Sequence, residues 1–255
     1  MDARLIVLTA AFAALPAQAA FDHSHAAWDA LVKRHVKVLP GQHASQMDYA
    51  GMAGDRAALK AYLDGLSKVP KAEFDAWPKN ERKAYLINAY NAFTVEKILT
   101  RWPDIRSIWD FGKIFGNPFK DDFFRLLGKP MTLDGIEHGT LRRPGAYDDP
   151  RVHYAVNCAS IGCPMLREEA YVAGRLEAQL DEQAVRFLSD RTRNRYRDGR
   201  LEVSKIFDWF EEDFVPYEKY FAQYAKVLGY PGGPVPVDFL DYDWSLNGLR
   251  SSSPR

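Results

Sequence analysis

The residues in this chain best equipped for chemistry are a thiol and an imidazole. Cys158 ends the stretch Asp149-Pro-Arg-Val-His-Tyr-Ala-Val-Asn-Cys158, and Cys163, the second of the two cysteines, follows after Ala159, Ser160, Ile161 and Gly162 and just before Pro164. Val152, Tyr154 and Val156 alternate with Arg151, His153 and Ala155, which predicts a strand with one covered face. The small residues after Cys158 predict a tight turn, where unpaired backbone N–H groups can stabilise a thiolate. His153 stands an odd number of residues before Cys158, so on a regular strand it faces the other way and suits substrate contact better than base catalysis. His138, within Asp134-Gly-Ile-Glu-His-Gly-Thr-Leu-Arg142, carries no such restriction. The spacing of Asp134 and Glu137 predicts a capping box at the start of a short helix bearing His138. Together these residues predict a Cys158 nucleophile with His138 as base or ion-pair partner.

Such a pair needs further groups. Asn88, Asn91, Glu137 or a backbone carbonyl could orient the imidazole. An Asn88 or Asn91 amide, or a turn N–H near Ser160, could stabilise an oxyanion, and Arg142 could hold a substrate carboxylate. Each residue also has a structural alternative. The two asparagines could hydrogen-bond a neighbouring loop backbone, Cys158 could be an apolar buried thiol, and His138 could pack at a helix start. The cysteines could form a disulfide or a redox pair with Cys163 as the resolving thiol. Zinc held by both thiolates and His138 or His153 lacks the usual spacing and a fourth ligand, so no metal is expected.

The elements that must position these groups are mostly helical. Helix-spaced apolar residues run from Phe21 to about Leu66 (Trp28, Leu31, Val32; Leu59, Tyr62, Leu63, Leu66), interrupted by a loop from Pro40 to Gly54. His23, His25, His35 and His43 lie in this region without metal-site spacing and are read as a solvated tail and helix surface. A buried helix is predicted over 80–99, capped by Asn80. Residues 102–127 read as an irregular aromatic cover, and 129–133 as a short strand. An amphipathic helix is predicted over 168–189, then a hairpin turning at Asp198-Gly199, and a final aromatic helix through Phe207 and Tyr217. The fold class predicted is α+β, a mainly helical single domain over 21–247 around a small antiparallel sheet, with a disordered tail at 248–255.

Residues 1–19 read as a secretory signal peptide, with an apolar run from Leu5 to Leu15 and a small-residue cleavage site at Ala17-Gln18-Ala19. This predicts a periplasmic or secreted protein with no membrane contact after cleavage. The 34 basic and 34 acidic residues balance, which removes the electrostatic reason to expect nucleic acid as a partner. With 47% hydrophobic and 13% aromatic residues, the chain is expected to fold around a substantial core.

Four motifs in order resemble the domain of unknown function 547 family: Tyr85-Leu-Ile-Asn-Ala-Tyr-Asn-Ala-Phe93, Ile136-Glu-His-Gly-Thr-Leu-Arg142, the stretch from Asp149 to Cys158 with its Gly162-Cys-Pro164 exit, and Tyr242-Asp-Trp-Ser-Leu-Asn247. The resemblance spans roughly Phe21 to Asn247 and matches Asn88, Asn91, Glu137, His138 and Cys158 residue by residue. It brings no settled reaction. Variation at the second cysteine among family members implies that Cys158 is the principal thiol and that a disulfide is not obligatory. The expected function is thiol-dependent acyl transfer or hydrolysis on a small-molecule or peptide substrate (amide or thioester), with no cofactor. Its rivals are a non-catalytic binding scaffold and a thiol redox protein. Papain-like and transglutaminase-like enzymes offer an analogy of roles only, because there the Cys precedes the His.

Overall fold

A computed structural model describes residues 20–112 and 116–249. The expected signal peptide, and residues 250–255 of the expected disordered tail, lie outside the described residues. The fold class is α+β. Helices α1 (Ala26–His35), α2 (Tyr49–Gly54), α3 (Arg56–Lys68) and α4 (Lys71–Ala76) lead to α5 (Lys79–Leu99). Strands β1 (Val36–Val38) and β2 (Ser45–Met47) form an antiparallel hairpin between α1 and α2, so the loop expected over Pro40 to Gly54 in fact holds β2 and α2. The long helix α5 is buried over most of its length because it is apolar on nearly every side. It begins one residue before Asn80, with Pro78 in extended backbone as its N-cap. Among the described residues, no helix is long and apolar enough to cross a membrane.

Two of the N-terminal histidines correct the surface reading. His25 is buried with Nδ1 2.7 Å from the Tyr62 hydroxyl, and His35 is buried with Nε2 2.8 Å from Asp55. Burial pulls the His25 pKa down to about 4.

Downstream, β3 (Phe124–Leu126) and β4 (Lys129–Met131) form a second hairpin that feeds the short helix α6 (Leu133–Ile136). Its cap is Thr132, whose hydroxyl accepts from Gly135 N–H at 2.8 Å, rather than the expected Asp134. The helix then widens into a π-type turn over Glu137–Leu141 that carries His138.

The expected strand at Val152 is instead one helical turn, α7 (Val152–Ala155). Asp149-Pro150 starts it as an N-terminal signal should, with Val152 N–H bonded to Asp149 O and His153 N–H to Pro150 O. Val152, His153, Tyr154 and Ala155 are all buried, so over this short stretch alternation of residue types carried no information about faces. The turn sits on a seam: Val152, Ala155 and Val156 join the main core around α5, while Tyr154 joins a second core.

That second core is built by α8 (Leu176–Ser189), β5 (Arg195–Arg197), β6 (Arg200–Ser204), α9 (Ile206–Trp209), α10 (Glu211–Phe214), α11 (Tyr217–Ala222), α12 (Ala225–Leu228) and β7 (Val237–Leu240). The α8 helix starts later than expected, because the backbone before it is held in non-helical contacts, Tyr171 by Asn88 of α5 and Ala170 N–H by Asp29 of α1. Asp198 (φ 50°) and Gly199 (φ 77°) turn the expected hairpin β5–β6 in left-handed backbone, and β7 adds to β6 in parallel. The single aromatic helix foreseen through Phe207 and Tyr217 breaks into three short ones, α9, α10 and α11, the first break falling at Phe210 (φ −124°) and the second before Pro216.

Candidate active site

Cys158 sits on a loop leaving α7, held by buried amides. Asn91 on α5 donates from Nδ2 to Ala155 O at 2.9 Å and accepts Asn157 N–H at 2.8 Å. Asn157 donates to Pro164 O at 2.8 Å, accepts Ala159 N–H at 3.0 Å, and accepts from Asn247 Nδ2 at 3.2 Å. Tyr49 donates its hydroxyl to Asn247 Oδ1 at 2.8 Å. Every member of this chain is buried, so each bond stands in place of an unsatisfied polar group.

The loop then turns sharply. Ala159 has φ 63°, left-handed backbone that an L residue adopts at a cost of about 1–2 kcal/mol. The segment 242–247 runs antiparallel beside the turn, with Asn247 N–H bonded to Ala159 O at 3.0 Å and Ile161 N–H to Ser245 O at 2.8 Å. In that pairing Ser160 N–H is not used by the ladder, and it is directed at Cys158 instead. Gly162 is required by close approach, since a Cβ there would lie 3.0 Å from the Tyr242 ring and the Asp243 nitrogen.

Both cysteines are free. The half-buried Cys158 has its sulfur 2.9 Å from Cys163 Sγ, 3.0 Å from Ser160 Oγ and 3.2 Å from the Tyr242 hydroxyl. Burial pushes the Cys158 thiol pKa up, but hydrogen bonds from Cys163, Ser160 and Tyr242 outweigh it and leave the pKa below its ordinary value. With Cys158 as thiolate, the Cys163 S–H must be the donor between them, and burial beside that charge raises the Cys163 pKa.

The opposite wall comes from the π-type turn, α7 and α10. Arg142 donates to His138 Nδ1 at 2.5 Å, to Asp213 at 2.5 Å and to Glu212 at 2.6 Å, and its guanidinium lies 4.5 Å over the Phe210 ring. A guanidinium can only donate, so His138 Nδ1 is the acceptor and its proton is on Nε2, 4.0 Å from Asp134. His153 Nε2 lies 2.6 Å from Asp213 Oδ2, which fixes the proton on that nitrogen and leaves the Nδ1 lone pair free, 3.9 Å from Glu137. Burial lowers the His153 pKa, against the pull of Asp213, and raises that of Glu137.

A cavity of about 470 Å³ lies between the walls. Cys158, Cys163, His138, His153 and Glu137 line it, together with a run of contacting rings: Trp109, Phe119, Trp209, Tyr242 and Trp244. Apolar rings beside a few convergent polar groups are the usual make-up of a small-molecule site.

Set against the sequence, Cys158, His138, His153 and Glu137 share the cavity, and Ser160 touches the thiol from behind. Asn88 and Asn91 are placed otherwise. Asn88 is clamped to the Tyr171 backbone in both directions, at 2.7 and 3.0 Å, and Asn91 to Ala155 and Asn157, so neither amide is available to an oxyanion or an imidazole. Arg142 is occupied by two carboxylates and an imidazole rather than open to a substrate carboxylate. Because α7 is helical, the facing argument against His153 does not hold. Among the described residues, no three His, Cys, Asp or Glu side chains are grouped as metal ligands.

Sequence reasoning missed Asp213, for which no local pattern gave a signal, and the part played by Tyr242, although its motif had been singled out. Residues 74–188 match the family described as "Protein of unknown function, DUF547". The chain contains a DUF547 domain. No curated protein and no solved structure matches it. The DUF547 match covers α5, the π-type turn and the cysteine loop, whereas Asp213 and the Tyr242–Trp244 wall lie beyond it.

Proposed function

We propose that this DUF547 protein is a thiol-dependent enzyme that transfers or hydrolyses an acyl group held as an amide or thioester. The observation that carries the reading is the Cys158 thiol, supplied with hydrogen bonds that favour its charged form and opening on an apolar cavity that also holds two imidazoles. The favoured proton carrier shifts from His138, whose Nδ1 is occupied by Arg142, to His153, which Asp213 orients. Cys158 gives its proton to His153 Nδ1 and attacks the carbonyl carbon. The oxyanion that forms is met by Ser160 N–H and the Tyr242 hydroxyl. Collapse expels the amine or thiol, which takes the proton back from His153. Water, deprotonated by His153, then attacks the Cys158 thioester, releasing the acid and restoring the thiol.

The test uses 4-nitrophenyl acetate with the full chain. One equivalent of nitrophenolate should be released in a burst, with an acetyl group found on Cys158, and Cys158→Ala should abolish both. His153→Gln should slow turnover by about 10²-fold, the usual contribution of a positioned base, and His138→Gln should slow it far less. A wild-type chain that forms no acetyl–Cys158 would overturn the proposal.

A further inference from the structure

Cys163 lines the same cavity, and the acyl-transfer scheme gives it nothing to do beyond donating a hydrogen bond. Its sulfur lies 2.9 Å from Cys158 Sγ and accepts the Cys158 N–H at 3.0 Å, so the turn holds the two side chains against each other. A disulfide needs the sulfurs to close to about 2.05 Å, which small side-chain rotations at the two ends of one turn can supply. The two positions also differ in access, Cys158 being half-buried and Cys163 only 7% exposed.

We propose that this pair gives the cavity a second activity, thiol–disulfide exchange with a small apolar disulfide, in which Cys158 attacks and Cys163 resolves. The proposal rests on Cys158 being the nucleophile of the site. The Cys158 thiolate attacks one sulfur of R–S–S–R, forming Cys158–S–S–R and releasing RS⁻, which takes a proton from solvent. Cys163 then loses its proton to solvent and attacks Cys158 Sγ, and the second RS⁻ leaves as the intramolecular disulfide forms. The chain loses two electrons and two protons, the substrate gains them, and an external dithiol reverses the change. The aromatic wall is what selects an apolar R group. The difference in thiol acidity fits the order of events: the sulfur that is easier to ionise is the accessible one, and the one harder to ionise waits behind it.

The experiment mixes reduced full-length protein with one equivalent of 4,4′-dithiodipyridine and follows thiopyridone release with mass analysis of the chain. Two thiopyridones from one equivalent of reagent, and a chain lighter by two hydrogens, are expected; only resolution by the second thiol can free both halves. Cys163→Ser keeps the hydrogen-bond donor and should release one thiopyridone, retaining the mixed disulfide at Cys158. If the wild type also stops there, Cys163 does not resolve and the inference falls while Cys158 stands as nucleophile. If the wild type reacts no faster than a free thiol in solution, the acyl-transfer reading falls with it.

Discussion

The two walls of the cavity spend their polar groups differently. On the imidazole wall, Arg142, Asp213, Glu212, His138 and His153 hold one another, which leaves two ring nitrogens without a hydrogen bond among the described residues: His138 Nε2, which carries a proton, and His153 Nδ1, the free acceptor of the two. On the thiol wall, the amides that build the loop are equally saturated, but they hold Cys158 at a point where several donors converge on one sulfur. Residual bonding capacity distinguishes a reactive group from a structural one here more than residue type does. Arg142 and Asn91 have the chemistry expected of site residues, and the fold has already used it.

The largest effect expected on either wall comes from Asp213→Ala. It removes the hydrogen-bond partner of the buried His153 and one of the two carboxylates on Arg142, which keeps Glu212, and should cost about 2–3 kcal/mol in urea unfolding, a discount on the usual penalty for breaking a buried pair because Asp213 is partly exposed. A loss below 0.5 kcal/mol would mean that the imidazole wall is not a coupled cluster.

Acid should separate the walls next. Burial raises the Asp213 pKa, but His153 and Arg142 hold it down to about 2, and Arg151 and Lys83 do the same for Asp149. Both folded values lie below the unfolded ones, so their stabilisation is present at neutral pH and is lost as pH falls from about 4 towards 2. His25, lowered to about 4 by burial, adds a loss that begins below pH 6.5. Unfolding midpoints measured from pH 7 to pH 3 should therefore decline steadily, and Asp213→Asn should flatten the lower part of that curve; an unchanged slope would contradict the assignment.

On the thiol wall, Tyr242→Phe removes one donor to Cys158 and should raise the pH midpoint of iodoacetamide alkylation by about one unit, equivalent to about 1.4 kcal/mol. A midpoint that does not move would leave Cys163 and Ser160 as the groups that matter. Ala159→Gly should have the smallest effect. It relieves the left-handed strain but removes a buried methyl, so a net gain within about 1 kcal/mol is expected, with the alkylation midpoint unchanged.

How much of this was legible in the sequence depended on whether the deciding force was local. The α5 helix, the Asp198-Gly199 hairpin and the thiol turn were readable because their signals are apolar periodicity, positive-φ residues and small side chains. The strand reading of Val152–Val156 failed because both faces of α7 are covered and an Asp-Pro start outweighed five alternating residues. Asp134 lost the cap to Thr132, whose hydroxyl accepts from Gly135 N–H and starts the helix two residues earlier, leaving Asp134 inside its first turn. Asp213 was invisible because its partner lies sixty residues away in sequence. Asn88 and Asn91 were recognised as costly inside an apolar helix, and the fold adopts the alternative in which both clamp a neighbouring backbone.

The strand that runs beside the cysteine turn comes from the far end of the described chain, at 242–247. Until that segment is in place, Ser160 N–H has no fixed direction, the Tyr242 donor is absent and one side of the cavity is missing. The sulfur therefore becomes a special reagent only when nearly the whole polypeptide has closed around it, and a fragment limited to residues 74–188 should display cysteines that behave like any others in solution.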